Sequence, residues 1–222
     1  MATNRDGFSE VGQLIVWRLS MKTLSLLLFV TIVMQLLTPV QVLACACCAE
    51  DGEYSKYAGK IEDYELEVMK QLRVGNRAFL FLTEADLEED AFGITDPKEQ
   101  YLVTGLVVGN AWRFTFRDGR KTGVLSLALP QTLESFKADI HDGKRSGGGG
   151  PLLYKEWRLE GQVEGTGLFK SGIVGPTRYL LVLQGRGNGC DNPGDYKHWR
   201  LEITGEKARY AFFGQLGRPL KS

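Results

Sequence analysis

The four cysteines are the residues of this 222-residue chain whose type and spacing best suit chemistry. Cys45, Cys47 and Cys48 lie close together, and Cys190 lies in a glycine-rich stretch. Cysteines in an oxidising compartment usually form disulfides, so we predict that Cys190 pairs with Cys47 or Cys48. Such a bridge would close a loop of about 140 residues and, in the chain-entropy model, would stabilise the fold by roughly 4–5 kcal/mol.

The same cysteines could instead bind a metal ion. The thiolates of the C-x-C-C cluster at Cys45, Cys47 and Cys48 suit Cu(I) or zinc. Cys190 or His198 could complete a tetrahedral set. However, the spacing differs from the paired C-x-x-C of structural zinc sites. We therefore predict no cofactor and keep a copper- or zinc-binding protein as an alternative.

Four residues on predicted strands are candidates for ligand binding: His198, Glu156, Arg158 and Trp157. Glu156 and Arg158 alternate along one strand, as residues of a wet face or of a polar lumen do. His198 could act as a general base or contact a ligand, and Trp157 could line the mouth of a barrel.

Sequence motifs give no support for a particular enzyme. The chain contains no G-x-S-x-G, no H-E-x-x-H, no phosphate-binding loop and no dinucleotide-binding fingerprint. We therefore predict no catalytic residue and favour a protein without enzymatic activity. A barrel-fold isomerase or hydrolase that uses His198 with Glu156 is kept as an alternative.

A hydrophobic segment near the N-terminus predicts export. Lys22 precedes the apolar run 24–37, and Pro39 and small residues follow it. A basic start, an apolar stretch and a small-residue exit are typical of a signal peptide. Met21 is an alternative start of translation, because the first 20 residues are polar for such a segment.

The site of cleavage decides whether the protein carries a lipid. Cleavage after Ala44 would leave Cys45 first, and Leu43-Ala44-Cys45 resembles the lipobox at which bacteria acylate a cysteine. Cleavage after Ala46 would leave Cys47 first, without a lipid. We favour the unlipidated product and predict a periplasmic, secreted or membrane-anchored protein.

The charge of the exported part excludes one class of partner. Residues 1–44 hold three of the 27 basic and two of the 27 acidic residues, so the remainder carries a net charge of about −1. A near-neutral domain is not drawn to nucleic acid or to anionic lipid. The expected partner is a small ligand or an envelope protein, with membrane contact only through the signal peptide or a lipid anchor.

The elements that must position these residues are mostly β-strands. A three-strand meander is predicted over residues 101–129, with turns at Gly109-Asn110 and Asp118-Gly119. Further strands are predicted at 77–83, 152–163, 177–184, 198–204 and 208–213. Residues 50–60 are predicted to be a lead-in loop, 61–68 a strand, 84–90 a short helix or loop, and 133–140 a helix or strand.

Together these elements predict an all-β, mainly antiparallel fold with one short helix at most. About eight or nine strands, each with one apolar face, form a small β-barrel or a β-sandwich. The expected organisation is an extension with signal peptide at 1–44, a cysteine-rich lead-in at 45–60 and a single β-domain at 61–222. The expected function is non-enzymatic binding of a ligand or an envelope partner.

Overall fold

The computed structural model describes residues 49–81, 91–144, 150–190 and 192–219. The predicted signal segment, the cysteines Cys45, Cys47 and Cys48, and the predicted helix or loop at 84–90 lie outside these residues. No helix within the described ranges is long and apolar enough to cross a membrane.

The described residues form ten strands and one α-helix, and all strand pairs are antiparallel, as predicted. In chain order the elements are β1 (Tyr54–Lys60), α1 (Asp63–Gln71), β2 (Val74–Leu80), β3 (Gln100–Val108), β4 (Ala111–Asp118), β5 (Lys121–Ala128), β6 (Thr132–Ala138), β7 (Tyr154–Gly167), β8 (Arg178–Arg186), a 3-10 turn (Pro193–Asp195), β9 (Tyr196–Gly205) and β10 (Ala208–Leu216).

Eight of the strands close into a barrel, which decides between the two predicted architectures. Their order around the barrel is β7-β5-β4-β3-β2-β10-β9-β8, and β8 pairs back with β7. The predicted meander is confirmed as β3, β4 and β5. Strands that follow one another in the barrel run in opposite directions. The barrel closes where its last strand, β10, pairs with its first, β2.

Strands β6 and β1 extend from the barrel wall. The long strand β7 pairs with β6 over residues 154–158 and with β5 over residues 163–167, and β1 pairs with β6. The predicted lead-in loop at residues 50–60 was therefore wrong, since it contains β1. Nearly every side chain of β1 is exposed, so the strand has no apolar alternation from which it could be predicted.

The strand predicted at residues 61–68 was also wrong, because Asp63–Gln71 form α1. The Glu65 carboxylate accepts a hydrogen bond from the Glu62 backbone N–H at 2.9 Å, an arrangement that favours the start of a helix. Val68, Met69 and Leu72 are fully buried. This stripe of helical period joins the core beside the 3-10 turn that connects β8 to β9.

Large aromatic side chains fill the inside of the barrel. Phe114 of β4 and Trp199 of β9 lie on opposite sides of the eight-strand ring, and their ring centroids are only 5.4 Å apart. Phe116 of β4 and Phe212 of β10 are 4.6 Å apart. Since these rings contact each other across the barrel, the middle of the barrel is a packed core, where a ligand has no room.

Candidate functional site

The structure divides the four predicted ligand-binding residues among three places. Glu156 and Arg158 lie on the outer wall of β7 beside the β1–β6 extension. Trp157 points the opposite way, as alternation along a strand requires, and packs in the core with its ring 4.6 Å from that of Tyr196. His198 lies in a separate depression on the outer wall. They form no common site, and Trp157 is buried in the core and lines neither of the two depressions.

Glu156 and Arg158 line a depression of about 240 Å³ together with residues of β1 and β6. The Glu156 side chain is only 7% exposed. Its carboxylate accepts hydrogen bonds from Tyr154 Oη at 2.5 Å, Arg158 Nε at 2.5 Å and Gln184 Nε2 at 3.0 Å. These donors already satisfy the carboxylate, so it is a poor contact for a ligand.

The protonation equilibria of this network do not suit acid–base catalysis near neutral pH. Burial raises the pKa of Glu156, but hydrogen bonds from Gln184, Tyr154 and Arg158 outweigh burial and hold the pKa below its ordinary value. Burial, together with the hydrogen bond to Glu156, raises the pKa of Tyr154 to about 12. Neither group exchanges a proton readily at neutral pH.

Glu156 does not form the predicted acid–base pair with His198. In the sheet Glu156 is opposite Gln184, and Gln184 is opposite His198. The two residues are thus two strands apart, or about 9–10 Å at the usual strand spacing. Gln184 lies between them and donates to Glu156.

The larger depression lies between β2 and β10, and we call it the β2–β10 groove. Its volume is about 730 Å³, and its lining residues are Gly75, Asn76, Arg77, Phe79, His198, Phe213, Gly214, Gln215, Leu216 and Gly217. A volume of this size falls within the range of small-molecule sites, roughly 300–1,000 Å³.

A shift in strand register produces the groove. Gly214 of β10 is opposite Ala78 of β2, whereas Leu216 is opposite Val74, so β2 has two more residues than β10 between these pairs. The extra residues make β2 bulge at Gly75–Arg77, and such bulges re-aim side chains next to binding sites. A side chain at Gly75 would meet the Gln215 backbone at 2.5 Å, so glycine is needed there for close approach of the two strands.

Two phenylalanines provide the apolar part of the groove. Phe79 and Phe213 are directly opposite in the sheet, and their rings stack with centroids 5.5 Å apart and an angle of 26° between planes. They remain 37% and 44% exposed. Exposed stacked aromatic rings offer an apolar contact surface to a ligand.

The polar part of the groove is basic. Arg77 and His198 are the ionisable residues among its described lining, which includes no aspartate or glutamate. Asn76 and Gln215 add neutral hydrogen-bonding groups, and Trp199 Nε1 donates to the Gln215 carbonyl at 3.2 Å, which fixes the floor. The groove thus suits a ligand with a negative group and an apolar part.

Cys190 carries an exposed thiol in the structure and is not part of a disulfide. Its predicted disulfide partners Cys47 and Cys48, and the lipidation candidate Cys45, lie outside the described residues. Within those residues no three His, Cys, Asp or Glu side chains form a cluster that could hold a metal ion. The disulfide, the lipid and the N-terminal metal site all stay predictions.

A buried ion pair that sequence reasoning missed holds the loop that carries Cys190. Lys155 Nζ donates to the Gly189 carbonyl at 2.5 Å and to Asp195 Oδ2 at 3.0 Å, and lies 5.1 Å from the centroid of the Tyr196 ring. The Lys155 side chain is 3% exposed. Burial lowers the pKa of Lys155, although the Asp195 carboxylate opposes this.

Sequence reasoning also missed Arg77, Phe79, Phe213 and Gln215 of the groove. One available signal was the run of apolar residues at 78–82, which predicts burial on both faces of a strand. The structure buries only one face and leaves Phe79 and Phe81 exposed. Apolar residues at positions that alternation assigns to the outside could have indicated a contact surface.

No family model matches this chain, and searches of curated proteins and of solved structures found no match either. The assignment of a function therefore rests on the geometry of the outer wall.

Proposed function

We propose that this protein is an exported, non-enzymatic binding protein of the cell envelope, and that it holds an anionic, amphiphilic ligand or partner in the β2–β10 groove. The observation that carries the proposal is the pair of exposed, stacked rings of Phe79 and Phe213 beside Arg77. The packed core supports it too, because contact between Phe114 and Trp199 leaves the outer wall as the place for a ligand.

Binding of dodecyl phosphate, measured by titration calorimetry below its critical micelle concentration, tests the groove. The phosphate would contact Arg77 and the alkyl chain would cover the rings of Phe79 and Phe213. Phe213→Ser and Arg77→Gln should each weaken binding roughly tenfold, the loss expected for about 1.4 kcal/mol of contact energy. Uncharged dodecyl maltoside should bind more weakly than the phosphate.

The matched control is Tyr57→Ser, which removes a half-exposed aromatic ring from β1, outside the groove. Its affinity for dodecyl phosphate should equal that of the parent chain. If the parent chain does not bind dodecyl phosphate, or if Tyr57→Ser weakens binding as much as Phe213→Ser, the groove is not the site.

We further propose that export is accompanied by a disulfide from Cys190 to Cys47 or Cys48. Contacts in the described residues support it. Ala49 is buried and packs so closely on Gly150 that a side chain there would overlap the Ala49 backbone. Asn188 Nδ2 donates to the carbonyl of Pro151 at 2.9 Å. These contacts bring the residue that follows Cys48 towards the loop of Cys190.

Intact mass measured with and without reductant tests this second proposal. The protein should be expressed with its own N-terminal segment in a bacterial host with an oxidising periplasm. A gain of about two hydrogens on reduction indicates one bridge, and Cys190→Ser should abolish the gain. An added acyl mass at Cys45 would instead identify a lipoprotein. Retention of residues 1–44 would contradict cleavage of a signal peptide.

A further inference from the structure

Six exposed apolar side chains lie on the neighbouring strands β10, β2 and β3 or directly after β2, and we call the surface that they occupy the apolar wall. They are Phe79, Phe81, Leu102, Leu106, Val108 and Phe213. They are half of the twelve large hydrophobic side chains that are strongly exposed in the described part of the chain. Such clustering on one surface marks a contact surface rather than random exposure.

Arginines border this wall. Leu102, which is 58% exposed, lies opposite Arg77 of β2 on one side and Arg117 of β4 on the other, and Leu106 lies opposite Arg113. None of these three arginines has an ion pair with a carboxylate of the described residues. Strands β2, β3 and β10 contain no aspartate or glutamate.

The acidic side chains lie on other strands of the sheet. Asp118 is on β4 next to Arg117, Glu134 is on β6, Glu156, Glu160 and Glu164 are on β7, Glu202 is on β9, and Glu99 directly precedes β3. Strands β2, β3 and β10 therefore carry basic and no acidic side chains, a local bias that the near-zero net charge of the chain does not show. Net charge alone predicted no attraction to anionic lipid, but the attraction depends on this local distribution of charge.

The geometry excludes two other kinds of occupant. Strands β2, β3 and β10 are paired on both sides in the closed sheet, so they offer no free edge to an added peptide strand. A second copy placed face to face would bring arginines against arginines, which repel. A bilayer has neither difficulty, because its acyl chains deform around a convex apolar strip and its phosphates attract guanidinium groups.

We propose that the apolar wall docks on an anionic lipid bilayer, with its phenylalanine and leucine side chains among the acyl chains and its arginines against the phosphates. The inference rests on the proposed function, since Phe79, Phe213 and Arg77 also line the β2–β10 groove. It names the partner as a membrane surface rather than a single amphiphile.

A tryptophan placed in the wall tests the proposal. Leu102→Trp in the full chain puts an indole between the two arginines. The native Trp112, Trp157 and Trp199 are buried, and Trp17 lies outside the described residues and contributes to the background. Vesicles of phosphatidylcholine, with or without phosphatidylglycerol, carry brominated acyl chains that quench an indole only on contact. The matched control is Tyr57→Trp, with the reporter on β1. The unsubstituted chain provides the background signal.

The expected result is quenching of the indole at position 102, at a lipid concentration roughly tenfold lower when phosphatidylglycerol is present. Arg113→Gln and Arg117→Gln should each raise that concentration about fivefold. The indole of Tyr57→Trp should stay unquenched. The comparison of the two positions is informative even when residues 21–44 or a lipid at Cys45 attach the chain to vesicles, because it reports which wall enters the bilayer.

Equal quenching at both positions, or none at position 102, would overturn bilayer docking. An absence of quenching at position 102 is also the result expected if the true partner is an acidic, apolar protein. If dodecyl phosphate still binds in a Phe213-dependent way while the indole stays unquenched, the groove retains its proposed function and only the membrane partner is wrong. If dodecyl phosphate does not bind and the indole at position 102 stays unquenched, both the proposed function and bilayer docking are wrong.

Discussion

The buried lysine Lys155 shows how one residue can hold a loop in place. Its ammonium group has the Asp195 carboxylate, the Gly189 carbonyl and the Tyr196 ring around it. A charge removed from water is tolerated only when partners of this kind surround it. The contacts fix the glycine-rich stretch where it leaves β8, and a side chain at Gly187 would overlap the Asp195 carboxylate. Gly187 is thus required by close packing against the ion pair.

Lys155→Met should destabilise the protein by about 3–5 kcal/mol, because it leaves the Asp195 carboxylate buried without its cation. The free energy of unfolding in urea measures the change. The control is Lys56→Met, since Lys56 and Glu134 form an exposed pair 3.7 Å apart, and such pairs contribute at most about 1 kcal/mol. Equal effects of the two substitutions would show that the Lys155 pair does not anchor the loop.

For single residues, the sequence predicted features that depend on near neighbours in the chain and missed contacts between residues that are far apart in it. Glu156 and Arg158 were correctly predicted to share a polar face, since strand alternation is a local property. The pairing of Lys155 with Asp195 joins residues 40 positions apart, and no local pattern encodes it. The groove was missed for the same reason, because Phe79 and Phe213 become neighbours only when β10 closes the barrel.

At the scale of single elements, turn chemistry was a better guide than apolar periodicity. The turns at Gly109 and Gly119 have positive φ angles of 60° and 56°, which glycine adopts easily, and the strands that flank them were predicted correctly. Residues 61–72 carry both an alternating and a helical pattern. The helix prevails because its stripe of Val68, Met69 and Leu72 can join the core.

The start of α1 gives a prediction for this element. Glu65→Ala removes the acceptor for the Glu62 backbone N–H, and it should lower stability by about 1 kcal/mol, the usual effect of losing a capping interaction. Thermal unfolding followed by circular dichroism measures it. Glu67→Ala is the control, since Glu67 is exposed and, among the described residues, forms its ion pair with Lys70 of the same helix. An equal loss of stability in both variants would mean that capping does not set the start of α1.

At the scale of the whole molecule, the barrel places the packed core and the proposed binding groove on opposite faces of one sheet. Its inside is occupied by rings such as Phe114 and Trp199, so the interior supplies packing energy. Its outer wall carries the groove, the apolar strip and the arginines. The sequence predicts the strands and their apolar faces, but these alone do not show whether a closed barrel of this size holds a ligand or a packed core. The sizes of the inward side chains settle that question.

This separation predicts that damage to the core leaves binding intact. Phe114→Ala removes a fully buried ring and should cost about 3–5 kcal/mol, because a cavity replaces its contacts. At a temperature where the variant is still folded, its affinity for dodecyl phosphate should match that of the parent chain, since the groove lies on the other side of the sheet. Urea unfolding measures the loss of stability, and titration calorimetry on the same sample measures the affinity for dodecyl phosphate. A large change in affinity, in either direction, would contradict this independence of the outer groove from the packed core.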